Sequence, residues 1–521
     1  MAQTYYQSGF RANWKCFIAC FLVAMSPFQY GIDFGLIAGL QAMPGFLKVY
    51  GHVDPASPIG YNIAHDRQQL ISSLMTLGAF VTSFAAGPIS KYMGRKLAMW
   101  ISCIICIVAN VIMMTTTSIE ALYVARLVIG FGNGGFMTFS QLYLQECSPA
   151  RYRGFALSVF LWFVSLGSTV GAIIDNFTKD LPGKDSYIVP LGLIYVIPGI
   201  LVVGLYFIPE SPRWLMLHGR NDEAQKSLKW LREKDDLVAA EFADIQESLN
   251  SETEVAKNTA FADMWRDPVE RRRSLLAICT LQTQAASGSM FIIAYGTYFF
   301  EMAHVGDAFE NSCILHAVAL AAIMLNAALI TRWGRRRRFL IGGLSICAAC
   351  QLIVAVVYDI EPNSTKTGKI VVAFTIIYMF GYNGMVTTYA WISGGELPSQ
   401  RMRSYTFGIA TALGFLGAWL TQFTAPYFIN PDSLNWGPKY GYIWFPSCIV
   451  SILFVYFYLP EVKDRTLEEI DEMFEARLPA RAFPAYKCMR RTDEDLKEKE
   501  SATEVVWHDK NATVETAVTV G

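Results

Sequence analysis

Two opposite charges stand out in the apolar part of this chain. Asp33 lies inside the apolar run 14–40, and Arg126 lies inside the apolar run 119–143. A carboxylate at the depth of a bilayer is costly, and it marks a functional site when a partner is available. Arginine keeps its charge, so Arg126 would favour ionised Asp33 while paired, and separation would favour proton binding. The alternative is a permanent structural ion pair.

The composition indicates a membrane protein around this pair. Of 521 residues, 53% are apolar and only 17% are charged, whereas a soluble domain is about a quarter charged. The formal net charge of −1 predicts no polyanionic partner. The composition therefore disfavours a soluble enzyme, a disordered chain and a nucleic-acid-binding protein. Cys103 and Cys106 lie within an apolar run, where cysteine acts as a small hydrophobe, and we predict no metal site and no cofactor.

Twelve apolar runs are long enough to cross a bilayer, which takes about 20 residues. They are 14–40, 69–89, 97–117, 119–143, 154–175, 188–208, 275–300, 312–331, 339–358, 369–392, 404–428 and 440–459. We predict an all-α membrane protein with two six-helix halves. The predicted segments are an N-terminus at 1–13, a half at 14–208, a linker with short helices at 209–274, a second half at 275–459, and a tail at 460–521.

The basic residues predict the orientation of these spans. With the N-terminus in the cytoplasm, only seven of the 43 Lys and Arg residues fall in outward segments, and cytoplasmic loops are typically rich in both. We therefore expect both termini in the cytoplasm, with the plasma membrane as the location. The sequons at Asn176 and Asn363 fall in predicted outward loops, where glycosylation is feasible.

An internal repeat relates the two halves. Gly94–Lys96 and Gly334–Arg336 are 240 residues apart, Glu146 and Glu396 are 250 apart, and Pro209–Ser211 and Pro460–Val462 are 251 apart. Three matched pairs in the same order indicate homologous halves. Parallel halves around a site near the midplane are typical of rocker-type carriers.

In this order, the motifs resemble the sugar-porter family of the major facilitator superfamily, in its fungal type. The resemblance covers about 14–475, and the motifs that carry it are Gly31–Gly35, Gly94–Lys96, Arg126–Gly134, Glu146 with Arg153-Gly154, Pro209–Leu215 and Pro460–Ile470. It implies the major facilitator fold and proton-coupling roles for Asp33 and Arg126. It also implies a cytoplasmic latch that pairs across the halves in the outward-open state, formed by Arg95, Glu146, Arg153, Glu210, Arg335, Glu396 and Arg403. The alternative is that the basic residues only enforce topology.

The predicted pocket has lost many of the amides that sugar porters use. Gln284 matches the first of two adjacent glutamines in the seventh span, but Ala285 replaces the second and Met290 replaces an asparagine. Trp391 keeps the tryptophan of the tenth span. Each buried hydroxyl left without a partner would cost about 1–3 kcal/mol. We predict that the substrate-binding residues are Gln284, Trp391, Tyr30, Gln282, Tyr295 and Asn383.

The residues thus predict a secondary active transporter of a sugar or sugar-like solute, with proton symport. The first alternative is a carrier of the same fold for a less hydroxylated solute, such as a plant-derived acid, a polyol or a fungal secondary metabolite. The second is a nutrient sensor that does not transport. We expect a monomer whose partners are the solute, protons and the bilayer, with no enzymatic activity.

Overall fold

The computed structural model describes most of the chain. The described residues are 13–55, 60–148, 153–232, 238–239, 241–243, 245–247, 249–250, 261–302, 306–362, 364–399, 401–463, 465 and 467–486. The sequon residue Asn363 lies outside them, and so does the side chain of Arg153, although its backbone begins a helix.

Six spans form the first half. They are Trp14–Leu40, His65–Tyr92, Arg95–Thr115, Ile119–Cys147, Arg153–Thr178, and a sixth span made of Asp185–Leu193 and Val196–Phe207. The short helix Pro44–Tyr50 and an antiparallel pair of strands, His52–Val53 with Tyr61–Asn62, connect the first two spans. The fifth span extends past its predicted end, so Asn176 lies in its last turn and not in a loop.

Six more spans form the second half, and two of them are interrupted. The seventh is Pro268–Ala286 followed by Ser289–Met302; the eighth is Ala308–Trp333; the ninth is Arg336–Ile360; the tenth is Thr365–Gly381, a π-helix at Tyr382–Thr387, and Thr388–Glu396; the eleventh is Arg403–Ile429; and the twelfth is Gly441–Phe457 after the 3₁₀ turn Gly437–Tyr440. The linker between the halves contains Pro212–Leu217, Asn221–Leu231 and Asp263–Arg266, and the tail contains Leu467–Glu475 and Phe483–Ala485.

The number of spans agrees with the prediction of twelve. Eleven spans in the described part of the chain are long and apolar enough to cross a membrane. The fourth, Ile119–Cys147, has 29 residues and is more polar because it carries Glu120, Arg126 and Glu146. It packs between the second and third spans, which places Arg126 inside the first half, whereas Glu120 is exposed at the start of the helix.

Each half has its own hydrophobic core. One buried cluster lies largely within the first six spans, and a second lies within the last six and the tail. Large apolar side chains on the outer surface of the spans are exposed, including Phe84 and Val203 at 68% and 62%. A bilayer would cover these side chains, because a spanning helix satisfies its own backbone and presents apolar groups to lipid.

The halves are joined at one end of the molecule. We call the face that carries the linker the linker side and the opposite face the far side. Among the described residues, the hydrogen bonds between the halves lie from the middle of the spans to the far side. They include Thr76 Oγ1 to Gln422 Oε1 at 2.6 Å, Tyr298 Oη to Asn62 Oδ1 at 3.0 Å, Asn430 Nδ2 to the Ile63 carbonyl at 2.8 Å and to Gln68 Oε1 at 3.2 Å, Thr169 Oγ1 to the His316 carbonyl at 3.2 Å, and further bonds from Tyr295 to the Gln68 carbonyl, Cys313 to the Ala172 carbonyl and Lys179 to Asp307. The far side is therefore closed.

Candidate functional site

The structure brings the two predicted membrane charges together. Arg126 Nη1 donates to Asp33 Oδ1 at 2.9 Å, and the two side chains are only 1% and 2% exposed. Arg126 Nε also donates to the Ile71 carbonyl at 2.9 Å, and Asn133 Nδ2 donates to Asp33 Oδ2 at 3.3 Å. Both carboxylate oxygens are thus occupied by donors from the fourth span.

Close helix contacts fix the position of this ion pair. A β-carbon at Gly31 would collide with the Val164 carbonyl, and one at Gly130 would collide with the Met75 carbonyl. The first span therefore lies directly against the fifth, and the fourth lies directly against the second. Larger side chains would push these helices apart and disturb the packing that positions Asp33 and Arg126.

A central cavity of about 170 Å³ lies between the two halves. Its walls come from the first, fourth and fifth spans on one side and from the seventh, eighth, tenth and eleventh spans on the other. Four of the predicted substrate residues line it: Tyr30, Gln284, Asn383 and Trp391. Tyr30 and Phe34 of the cavity wall lie on the same helix as Asp33. The cavity and the ion pair therefore share this stretch of the first span.

Two predicted substrate residues do not line the cavity. Gln282 points toward the eleventh span, where its Nε2 donates to the Leu413 carbonyl at 2.5 Å. Tyr295 is fully buried, and its hydroxyl bonds the backbone of Gln422 on the closed far side. In this conformation both side chains face a neighbouring helix and not the cavity.

Two local irregularities shape the cavity wall. Gly288 has a φ of +82° and separates the two parts of the seventh span just after Gln284. A β-carbon there would meet the Trp444 ring. In the tenth span, the π-helix Tyr382–Thr387 supplies Tyr382, Asn383 and Thr387 to the cavity. Such π-turns often occur at functional sites.

Several cavity residues were missed by the sequence reasoning. His316 of the eighth span, Ser165 of the fifth and Thr411 of the eleventh all line the cavity, and the Thr411 hydroxyl has no hydrogen-bond partner in the structure. Asn133 was also missed as a hydrogen-bond donor to Asp33. An isolated polar residue in a long apolar helix belongs to no periodic pattern, so the sequence alone did not indicate which way these side chains point.

The cavity wall is largely apolar at the positions where amides were expected. The replacements Ala285 and Met290 line it, and so do Leu161, Gly414 and Phe415. The predicted replacements therefore face the solute space. Some of the remaining polar groups bond the backbone, as Ser168 Oγ does to the Gly31 carbonyl at 3.0 Å.

A cluster of charged residues lies at the linker side of the first half. Arg95 Nη2 donates to Glu146 Oε1 at 2.7 Å. Glu210 accepts from the backbone N–H groups of Arg95, Lys96 and Ser211 at 2.9–3.1 Å, at the N-terminus of the third span, where the helix dipole favours an anion. Burial raises the pKa of Glu210 above its usual value, although these N–H groups and Arg95 oppose the shift.

The second half repeats this cluster with a shift of one residue. Arg336, not Arg335, bonds Glu396, with Nη2 to Oε1 at 2.7 Å and Nε to Oε2 at 3.1 Å. Glu461 accepts from the N–H groups of Arg336 and Arg337, both at 3.1 Å. Arg336 is therefore the counterpart of Arg95, and the prediction of Arg335 as a latch residue is corrected. Arg335 occupies the N-cap of the ninth span.

In this conformation the latch pairs lie within each half. Arg95 with Glu146 belongs to the first half and Arg336 with Glu396 belongs to the second. The predicted pairing across the halves is not observed among the described residues, and the contacts between the halves lie toward the far side instead. Arg403 begins the eleventh span. Closed at the far side, with intrahalf pairs at the linker side, the molecule has the arrangement expected when the linker side opens.

Comparison with protein families identifies the chain. The model for sugar (and other) transporters matches residues 19–474. The chain belongs to the sugar transporter family. This confirms the resemblance to sugar porters of the major facilitator superfamily.

Among relatives of this sugar transporter, the high glucose sensor RGT2 of Saccharomyces cerevisiae is 30% identical over 474 residues, which is 89% of this chain but 61% of the sensor. The major facilitator-type transporter ecdD of Aspergillus rugulosus is 28% identical over 88% of this chain and 87% of its own. The low-affinity glucose transporter HXT4 of S. cerevisiae is 27% identical over 88% and 80%. The relatives are fungal transporters and a sensor, so the prediction that the chain is not an enzyme is confirmed.

Solved structures confirm the fold of this sugar transporter. The inward-open xylose transporter XylE from E. coli aligns with a TM-score of 0.72 at 17% identity, covering 88% of this chain and 99% of XylE. The proton:xylose symporter XylE bound to 6-bromo-6-deoxy-D-glucose aligns with a TM-score of 0.71 at 18% identity, covering 89% and 100%. The predicted major facilitator fold is therefore confirmed.

Proposed function

We propose that the protein is a secondary active carrier that moves a sugar or sugar-like solute by alternating access, with proton symport. The observation that carries this proposal is the buried Asp33–Arg126 pair beside a cavity built from both halves. The far side is closed, so opening of the linker side would give the cavity one exit at a time. Alternating exposure of one central site is what a carrier of this architecture requires.

The ion pair supplies the proton step of this proposal. In this structure Arg126 and Asn133 donate hydrogen bonds to the two carboxyl oxygens of Asp33. Rocking of the helices that separates Asp33 from these donors would leave a buried carboxylate, which is strongly disfavoured and takes up a proton. Proton binding at Asp33 is thereby linked to the movement that exposes the cavity.

The family and the chemistry of the cavity both support a sugar as the solute. Gln284 and Asn383 offer amides to hydroxyl groups, and Trp391 and Tyr30 offer aromatic faces. Relatives named as a low-affinity glucose transporter and a proton:xylose symporter support a sugar. We propose the plasma membrane as the location, with both termini in the cytoplasm and Asn176 and Asn363 as candidate glycosylation sites.

The apolar wall favours a second candidate. Ala285 and Met290 line the cavity where hydroxyl-binding amides were expected, and Leu161 and Phe415 add further apolar surface. This lining suits a solute with fewer hydroxyl groups, such as a plant-derived acid or a fungal secondary metabolite. The same proton step would apply to it.

Uptake in a host without its own hexose carriers tests the proposal. We expect accumulation of at least one labelled sugar from a panel, with loss of accumulation on addition of an uncoupler or in Asp33→Asn. Uptake that is unaffected by both would refute proton coupling. Uptake of a less hydroxylated solute but of no sugar would favour the second candidate, and signalling without uptake would indicate a sensor.

A further inference from the structure

A second carboxyl is buried in the first half, away from the Asp33–Arg126 pair. Asp175 lies in the last turns of the fifth span and is 1% exposed. Neither of its carboxylate oxygens makes a hydrogen bond of ordinary geometry in the structure, although the Gly39 backbone lies close enough to favour the charged form. An ionised carboxylate without a partner is strongly disfavoured away from water, so such a group is neutral. The buried form of Asp175 is therefore the protonated form.

The carboxyl lies against the first span and close to the seam between the halves. A β-carbon at Gly39 would collide with the Asp175 carboxyl, which leaves no room there for a water layer. Three residues before Asp175, the Ala172 carbonyl accepts a bond from Cys313 Sγ of the eighth span at 3.3 Å. One turn after it, Lys179 forms an ion pair with Asp307 of the eighth span. Asp175 thus sits between two contacts that join the halves on the far side.

Few charged groups are placed to compensate an ionised Asp175. Lys179, just past the end of its helix, is paired with Asp307. On the first span, Asp33 lies six residues before Gly39 and is paired with Arg126. Other titratable groups on the packed elements include Cys313, Glu310 and His316 of the eighth span, Asp185 and Tyr187 of the sixth, and Glu120, Tyr123 and Glu146 of the fourth.

We propose that Asp175 is a proton-binding site that controls closure of the far side: it is neutral and buried while the fifth and eighth spans are in contact, and it ionises when they separate. This inference rests on the alternating access proposed above. Closure takes one proton from the far-side solution, and opening returns it to the same solution. The group therefore adds no proton to the transport stoichiometry, in contrast to Asp33.

The sign of the pH effect follows from this linkage. The closed form binds one more proton than the open form, so acid on the far side favours closure. The ratio of closed to open molecules changes by up to about tenfold per pH unit, at pH values above the usual range for aspartic acid in water. A neutral residue at position 175 removes this contribution.

Hydrogen exchange of the purified full-length protein tests the proposal without a known solute. Exchange would be followed by mass spectrometry in the far-side ends of the fifth and eighth spans at two pH values, with labelling times scaled to the intrinsic chemical rate. We expect more protection at the lower pH in the wild type. Asp175→Asn should flatten this dependence, and the exposed neighbour Asp180 provides a matched control, Asp180→Asn, that should keep it.

Three results would overturn the proposal. They are a wild-type protein with no pH dependence at these helix ends, an Asp175→Asn protein with the wild-type dependence, and a changed ratio of protons to solute in Asp175→Asn. Asp175→Ser, which is smaller and neutral, replaces Asp175→Asn if the amide variant is not recovered folded. Failure of proton-driven accumulation in wild-type uptake assays would instead count against the proposed function, because exchange measures closure alone.

Discussion

Neutralising one member of the Asp33–Arg126 pair should destabilise the protein far more than neutralising both. The pair is joined at 2.9 Å with side chains 1% and 2% exposed. Asp33→Asn leaves the buried Arg126 guanidinium opposite a neutral amide. Arg126→Gln leaves the Asp33 carboxylate with a hydrogen bond from the neutral Asn133 amide but without a compensating positive charge. Removing one partner of a buried pair costs about 3–5 kcal/mol because it leaves an uncompensated buried charge, which replacing both partners avoids.

The double variant should therefore be at least about 3 kcal/mol more stable than the sum of the single effects predicts. Unfolding of the purified protein in detergent, followed by tryptophan fluorescence, measures the four members of this cycle. The partly exposed pair Lys179–Asp307 is the comparison, and its cycle should give about 1 kcal/mol or less. Additive losses at Asp33 and Arg126, or single variants as stable as the wild type, would refute the buried ion pair.

Three further changes have defined outcomes. Gly288→Ala should cost at least about 1–2 kcal/mol in unfolding free energy, because alanine disfavours positive φ and its β-carbon meets Trp444. Glu461→Gln should lower stability by about 1–2 kcal/mol through loss of an anion at a helix N-terminus, measurable in the same assay; no change would contradict the role of Glu461. Trp391→Ala should weaken solute affinity about tenfold, whereas Trp419→Ala, outside the cavity lining, should leave it unchanged in a competition uptake assay.

The membrane architecture could be predicted because its signals are long. Runs of about 20 apolar residues identify spans regardless of how the helices pack. The pairing of Asp33 with Arg126 was also accessible, since two charges in separate apolar helices have few other partners. Asn133 was not, because an asparagine among glycines gives no indication of the helix face it occupies.

The sequence failed where backbone geometry decides. Matching Gly334–Arg336 to Gly94–Lys96 by residue type alone aligned the two halves one residue out of register. In the structure, Glu461 accepts from the N–H groups of Arg336 and Arg337, so Arg336 is the residue that corresponds to Arg95. The helix break at Gly288 and the π-helix at Tyr382–Thr387 change which side chains face the cavity. A regular helical period therefore could not separate Gln284, which lines the cavity, from Gln282, which does not.

The closed far side also bears on how fast the protein can cycle. Its contacts are made largely by neutral groups, such as Thr76 with Gln422 and Asn430 with the Ile63 carbonyl. Each such bond is exchanged for bonds to water at a net cost of only about 0.5–1.5 kcal/mol, and its strength depends little on ionic strength. A carrier must make and break this closure once in every round of transport. Closure built from such bonds is a shallow energy well, so a solute of modest affinity can shift the equilibrium between the closed and open forms.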